Sequence, residues 1–452
     1  MAKSRSKVEK IATGFISRNL ALGRLSGATM ARFLVRSRSP EEVIAFLGKE
    51  AEKWVAGMGR LKGPIMKAGQ LIAIIDPQFI PAEIKKAFQP LNEESIELSG
   101  DAVRGILRRR LKKERLDLLD VDYEAYRAAS IGQVHRARIK ATGEEIILKI
   151  QYPGMAGTID TDMKTLRSFL NILRVLPGYE KATVEGILQD IRTTLVREMD
   201  YRREGRQLQV YQEAFADDPR FKVPKIYEKF STKTILALEY VGGESLTPAF
   251  LAGLEPARKE ALGLVMLELF LREFCSMGLI QTDAHASNYR LRRTADGRDQ
   301  VVLLDFGAVR PYPAPFVARF CQLARQAWNH DREGIRATLF EGGYLRQEDP
   351  EEVPNLYTDL VIRVLACMIP ADHPFHREPK IYLNSPEWGG FLVDWHKDLI
   401  AAGGLRMRPV PADFVMFSRR LAGFRQLCES LDSRWDTPAI YPVLRRWLDL
   451  DC

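Results

Sequence analysis

The chain has 452 residues, 46% hydrophobic and 9% aromatic, enough to bury at least one full-sized core and to form two or three domain-sized units rather than a disordered chain. Its five cysteines (Cys275, Cys321, Cys367, Cys428 and Cys452) include no Cys-x-x-Cys pair, so neither a disulfide framework nor a zinc site is indicated, and a reducing intracellular compartment fits. The formal charge of +8 is local: of 67 basic and 59 acidic residues, nine basic and one acidic fall within residues 1–40, which leaves 58 of each sign over the rest.

Residues 1–40 combine that charge with Ile11, Phe15, Ile16, Leu20, Leu22, Leu25, Met30, Phe33 and Leu34, a basic amphipathic composition suited to an anionic membrane surface. The composition also resembles a transit peptide, and a basic, frayed helix with no target is the plain alternative. Arginines interrupt every apolar run near the start, so no secretory signal is read, and no uncharged run of ~18 residues predicts a spanning helix. Residues 41–116 read as a helical extension. Pro40-Glu41-Glu42 is a helix start ahead of Val43, Ile44, Phe46, Leu47 and Trp54 at helical spacing. Pro64, Pro77, Pro81 and Pro90 then limit the helices to short pieces such as Ala82 to Phe88 and Asp101 to Leu111.

From Asp120 the pattern alternates as a strand does. Val134, Ala137 and Ile139, the turn Ala141-Thr142-Gly143 and the run Ile146-Ile147-Leu148 predict a hairpin in a small sheet. Helical periodicity returns over 157–175 and 183–213, strands are expected at 223–228 and 233–241, and Val241-Gly242-Gly243 breaks the run. A long helix is predicted from Pro256 to Met277 with Gly278 as its terminator. From 313 onward the pattern is helical, with loops at 369–390 and 403–411. Strands mixed with helices followed by helices alone give an α+β class: residues 117–243 as a mixed lobe with inserted helices and 244–452 as a helical lobe.

Val301 to Leu304 form an apolar strand ending in Asp305-Phe306-Gly307, an acid at a glycine turn, where a kinase holds the Mg²⁺ that bridges ATP phosphates. The tripeptide alone is weak, since a strand followed by a tight turn accounts for it equally well. Twenty-two residues upstream, Asp283 and Asn288 stand five apart after the apolar helix, which is the catalytic-loop spacing: the aspartate orients the proton of an acceptor and the asparagine completes the metal shell. His285 between them reads as a solvated or structural loop histidine. Lys149 closes the run Ile146-Ile147-Leu148, and a cation there must be answered by phosphate or by a carboxylate, with Glu198, Asp200 and Glu204 all candidates. No Gly-x-Gly-x-x-Gly precedes it. Arg127-Ala128-Ala129-Ser130-Ile131-Gly132 stands in its place, small residues that still let backbone amides approach phosphate.

These motifs together resemble the UbiB (AarF-domain) family of atypical kinases. Lys67-Ala68-Gly69-Gln70 is similar to that family's Lys-x-Gly-Gln signature, Ala128 to His135 to its alanine-rich nucleotide loop, Lys149 to Gly154 to its nucleotide strand, and Glu198-Met199-Asp200 to its Glu-x-Asp motif. The similarity covers about residues 60–310, and Val415 to Ser430 resembles the family's C-terminal helices. The Gln281-Thr282-Asp283 form is similar to the ubiquinone-biosynthesis branch without C-terminal transmembrane helices. Departures are Arg127 at the start of the alanine run, Glu204-Gly205-Arg206-Gln207 and Ala284-His285-Ala286-Ser287.

The resemblance implies a bilobal protein-kinase-like fold whose N-terminal helical extension packs over the active site, favouring ATP binding and hydrolysis over phosphorylation of proteins in trans. It assigns Asp283, Lys67 and Glu198 to catalysis, with Lys67 near Glu198. It assigns Ala128, Ala129, Ser130, Lys149, Glu204, Glu239 and Val241 to ATP or ADP, with Glu204 pairing Lys149, and Asn288 and Asp305 to Mg²⁺. The expected function is an atypical kinase or ATPase in isoprenoid-quinone biosynthesis. Its expected place is the inner face of a membrane, the matrix side in a mitochondrion, with an anionic or isoprenoid lipid surface and quinone-biosynthesis enzymes as partners. A nucleotide- and lipid-binding pseudokinase scaffold is the alternative. A small-molecule phosphotransferase would share the Asp-x-x-x-x-Asn spacing without explaining Lys67 to Gln70, and no recognition motif for nucleic acid is present.

Overall fold

The computed structural model describes residues 7–8, 40–58, 67–69, 72, 82–88, 97–128, 131–171, 181–282 and 286–366, with scattered positions between 394 and 448. Most of the basic segment over 1–40, the loops expected at 369–390 and 403–411 and much of Val415 to Ser430 lie outside the described residues. The chain forms two compact units, 1–243 with 290–308, and 244–289 with 309–452.

In the first unit, helix α1 (Pro40–Met58) begins at the expected start signal. It buries Leu47, Ala51 and Val55, four residues apart, and packs on α2 (Ala82–Phe88), which buries Ile84, Ala87 and Phe88. Strand β1 (Glu97–Leu98) leads into α3 (Gly100–Arg110), capped by the Ser99 hydroxyl and closed by Arg108, Arg109 and Arg110, cations suited to the negative end of the helix dipole.

The expected hairpin is the centre of a five-stranded antiparallel sheet. Strands β2 (Leu119–Val121), β4 (Gly132–Ile139), β5 (Glu145–Gln151) and β7 (Ile235–Glu239) lie in that order, and β3 (Arg127–Ala128) adds to β4. Gly143 turns the β4–β5 hairpin at φ 74°, where a side chain would be strained. Ile146, Leu148 and Ile150 are buried on one face of β5, and Lys149 lies on the other. Register places Arg127, Val134, Lys149 and Leu236 abreast on that second face, and Arg136, Ile147 and Leu238 one repeat along it.

Helix α4 (Ile159–Leu170) is followed not by one helix over 183–213 but by two, α5 (Lys181–Glu198) and α6 (Tyr201–Ala214). The break is at Asp200, whose carboxylate accepts from the N–H groups of Arg202 and Arg203. An aspartate caps a new helix better than it continues an old one. The strand expected at 223–228 is also corrected. Paired backbone occurs at β6 (Phe221–Lys222) and as a single bridge at Ile226, because Pro224 has no N–H to donate to a ladder.

The second unit contains α7 (Pro256–Leu271), a π-helical turn over Arg272–Ser276, and Gly278 at φ 58° ending the run as expected. Strand β8 (Leu279–Gln281) follows; the chain then returns to the first unit over 290–308, where β9 (Tyr289–Arg293) and β10 (Asp299–Leu303) form a hairpin whose β10 pairs in parallel with β6. Strand β11 (Val309–Pro311) pairs with β8, and helices α8 (Ala314–Trp328), α9 (Arg332–Glu341), α10 (Glu352–Ala366) and α11 (Tyr441–Leu448) complete the described part. Phe270, Phe274, Phe417 and Phe424 stack in this unit's core. Among the described residues no helix is long and apolar enough to cross a membrane. The whole is an α+β fold of protein-kinase type.

Candidate active site

Lys149 stands at the polar end of β5. Its ammonium donates to Glu204 at 2.8 Å and 3.1 Å and lies 3.4 Å from Asp305 Oδ2, with the Tyr201 ring 5.2 Å away. Three separate elements supply these groups, so the cluster is a product of the fold and not of local sequence. Glu204 is held by α6, whose start is fixed by the Asp200 cap. Asp305 is held by its own turn: Oδ1 accepts from Gly307 N–H at 2.9 Å, and Arg203 donates to the Gly307 carbonyl at 3.1 Å. Phe306 is buried against Tyr211 in a ladder of rings that continues through Phe215 to Phe221, which anchors the turn to α6.

A second ion pair borders the first. Lys67, buried on a helical segment of the extension, lies 3.4 Å from Glu198 Oε1 at the end of α5. A methyl group built at Gly307 would meet Asp305 Oδ1 at 3.3 Å, Glu204 Oε2 at 3.5 Å and Glu198 Cγ at 3.7 Å, so three acidic residues converge on one glycine. The helix break at Asp200 is what lets Glu198 and Glu204 both reach this place, which one continuous helix would not allow.

The electrostatics follow from three carboxylates and two ammonium groups. Burial would push the Lys149 ammonium down, but Asp305 and Glu204 overcome it and hold the group well above the ordinary lysine value. Burial pushes the Glu204 carboxyl up; Lys149 pulls it back, Asp305 and Glu198 push it up again, and the result is a rise from 4.5 to about 7. The two shifts are consistent with one site short of positive charge: the ammonium keeps its proton, and Glu204 gives its own up late.

Residues that the motifs did not assign hold this geometry. Gln151 donates its buried amide to the Met199 carbonyl at 3.2 Å, tying the end of β5 to the α5–α6 turn, while Arg110 of the extension donates to the Gln151 carbonyl at 2.6 Å. Gly132 allows close packing: an added methyl would stand 2.4 Å from the Ile150 carbonyl oxygen. The Gln133 side-chain oxygen accepts from Leu98 N–H, so its amide donates to His135 Nε2 and the ring proton rests on Nδ1, facing the Asp122 carbonyl. Burial lowers the His135 pKa, in keeping with that neutral form. Gln151 was visible within the Lys149 to Gly154 motif. Arg203 carried no signal beyond its place on a polar helix.

Of the other expected residues, Ala128 is on β3, half-buried, and Val241 is buried after β7. The Glu239 carboxylate is engaged away from Lys149, with Lys222 at 2.7 Å and the Lys225 N–H at 2.9 Å, so only its main chain remains to meet a ligand. Asn288 lies half-buried in a 3₁₀ turn, Ala286–Asn288, in the second unit. Ala129, Ser130, Asp283 and His285 lie outside the described residues. Hard oxygen donors beside an ammonium fit a magnesium–phosphate ligand. Among the described residues no group of three or more His, Cys, Asp or Glu side chains is placed to hold a metal ion by itself.

A family model described as the ABC1 atypical kinase-like domain matches residues 91–339. "Atypical kinase COQ8B, mitochondrial" of Rattus norvegicus is 30% identical over 94% of this chain and 78% of its own length. "Atypical kinase COQ8, mitochondrial" of Schizosaccharomyces pombe is 25% identical over 93% of this chain and 66% of its own, and its Saccharomyces cerevisiae namesake is 28% identical over 67% and 59%. Among solved structures, Rv3197 of Mycobacterium tuberculosis, determined with erythromycin, aligns with 88% of this chain and 100% of its own at TM-score 0.51 and 22% identity, a likeness of fold. The chain belongs to the ABC1, or UbiB, family of atypical kinase-like proteins.

Proposed function

We propose that the chain binds Mg-ATP and acts as an atypical kinase or ATPase supporting ubiquinone biosynthesis at a membrane surface. The observation that carries the reading is the Lys149–Glu204–Asp305 cluster, a strand lysine held between a helix glutamate and the aspartate of an Asp-Phe-Gly turn. In this reading Lys149 neutralises nucleotide phosphates, Glu204 orients it, and Asp305 and Asn288 are the magnesium ligands. Bound magnesium supplies charge neutralisation on the transferring phosphoryl group. Asp283 orients the attacking hydroxyl or water, and the main chain at Glu239 and Val241, with Ala128 to Ser130, meets the nucleotide. The names of the rat and yeast relatives support an atypical-kinase activity and a mitochondrial setting, and the basic segment over 1–40 supports an anionic surface.

The test has two parts. Purified protein is expected to show a Mg-ATP-dependent rise in thermal midpoint and phosphate release that increases with anionic vesicles, both lost in Asp305→Asn. In a deletion strain, wild type but not Asp305→Asn is expected to restore cellular quinone, and full rescue by the variant would sink the reading. The alanines in place of loop glycines favour one other function, a nucleotide-binding scaffold for quinone-biosynthesis enzymes. A thermal shift with no phosphate release under any condition selects it.

A further inference from the structure

Cys275 lies on the π-helical turn that ends α7, and Cys321 lies on α8, 46 residues further along the chain and in the same unit. Their sulfurs are in hydrogen-bond contact at 3.7 Å, and both residues are half-buried, which leaves them open to a small solute. The segments around them are fixed to each other. The Phe274 ring meets Phe320 edge to face at 5.0 Å and Phe316 at 6.0 Å, and the Tyr312 N–H donates to the Gly278 carbonyl at 2.8 Å. Between these anchors the backbone at Cys275 is wound more loosely than an α-helix: the Met277 N–H donates to the Arg272 carbonyl, five residues back, at 3.1 Å. Among the described residues no third Cys, His, Asp or Glu joins the pair to hold a metal ion.

Two sulfurs already in contact need only approach to about 2.0 Å to bond, a gap that side-chain rotation on a loosely wound turn can close. We infer that Cys275 and Cys321 form a reversible redox site, a dithiol that a peroxide closes into a disulfide and a thiol reductant reopens. The Cys321 contact, and then burial, hold the Cys275 thiol above its ordinary value, so Cys275 keeps its proton and Cys321 takes the first oxidation. Its sulfur attacks one peroxide oxygen, the O–O bond breaks, water leaves, and a sulfenic acid remains on Cys321. The Cys275 sulfur then attacks the Cys321 sulfur. The S–S bond forms as the S–O bond breaks, and the hydroxyl leaves with the Cys275 proton as a second water. Two thiols thus lose two electrons and one peroxide is reduced to two waters. The loop closed by the bond, 275–321, contains Asp283, Asn288 and Asp305, so the disulfide staples together the two ends of the segment that carries them.

The test treats reduced full-length protein with hydrogen peroxide, blocks the remaining thiols with N-ethylmaleimide and digests it without reduction. Mass spectrometry is expected to find the Cys275 and Cys321 peptides linked and two hydrogens lighter than their sum, and dithiothreitol to separate them again. The thermal midpoint of the oxidised protein is expected to rise by about 5 °C, because the bond restricts the unfolded chain, and to return on reduction. Cys275→Ser and Cys321→Ser are each expected to lose both the linked peptide and the peroxide-dependent rise. Mapping of wild type decides the matter even where a serine variant fails to fold. The inference is overturned if peroxide carries either cysteine to a sulfinic acid with no linked peptide, or links one of them to Cys367, Cys428 or Cys452 instead. It is overturned too if the linked peptide forms with no change in midpoint, or if the rise persists in Cys275→Ser. None of these readouts uses nucleotide, so failure here and failure of the Mg-ATP reading are separate results.

Discussion

At the scale of single residues, Glu204 is the group whose behaviour follows most directly from its surroundings. It is 1% exposed, shares an ammonium with Asp305 and also faces Glu198, so burial and like charge raise its carboxyl from 4.5 to about 7. A carboxyl whose folded value lies above its unfolded one binds a proton more readily in the native state. Its contribution to stability is therefore complete below the unfolded value and fades as pH rises through about 7. Glu204→Gln removes that titration while keeping the shape. The thermal midpoint of wild type relative to this variant is expected to fall steadily from pH 4.5 to pH 8, and parallel pH profiles for the two proteins would contradict the assignment.

At the scale of elements, what was legible depended on whether the deciding force was local. The hairpin was legible because alternation and a glycine turn are local signals, and β4, Gly143 and β5 follow them. The break between α5 and α6 was not, since helical periodicity runs on both sides of it and only the Asp200 cap reveals the stop. That cap also decides the site, because it starts the helix holding Glu204 and Arg203. Asp200→Ala is expected to cost about 1–2 kcal/mol in urea denaturation, with Asp200→Asn keeping most of it. A loss as large in Asn as in Ala would mean that charge, not capping, is the role. In the second unit Arg420, 1% exposed, donates to Glu273 at 3.1 Å and to the Tyr289 hydroxyl at 2.8 Å. Its distant partner on the π-helical turn left no trace in the sequence pattern. Arg420→Met should destabilise by about 3–5 kcal/mol, and Glu273→Leu added to it should recover much of the loss, because a buried charge left alone costs more than an apolar pair. Additive losses in a double-mutant cycle would show that the two residues act separately.

At the scale of the whole molecule, the chain leaves its first unit after Gly243 and returns to it over Arg290 to Ala308, and that return brings Asp305 to Lys149. The motifs named the ligands of this meeting, but the extension enters it through Lys67, whose contact with Glu198 is legible only by resemblance and not from periodicity. Lys67 and Glu198 keep only 10% and 8% of their side-chain surface, so the pair stabilises the site only while both members are present. Lys67→Met leaves three carboxylates with Lys149 as the nearby ammonium. Added negative charge is expected to lower the magnesium concentration needed for half-maximal nucleotide binding. The loosened extension is expected to admit the protein's own hydroxyl groups, so phosphate from labelled ATP should appear on the purified variant and stay at background on wild type. Glu198→Gln breaks the pair from the other side. If it also incorporates phosphate, the ion pair is the restraint; incorporation by the lysine variant alone would mean that Lys67 acts on the nucleotide directly. Background labelling in both would remove the extension from the control of catalysis.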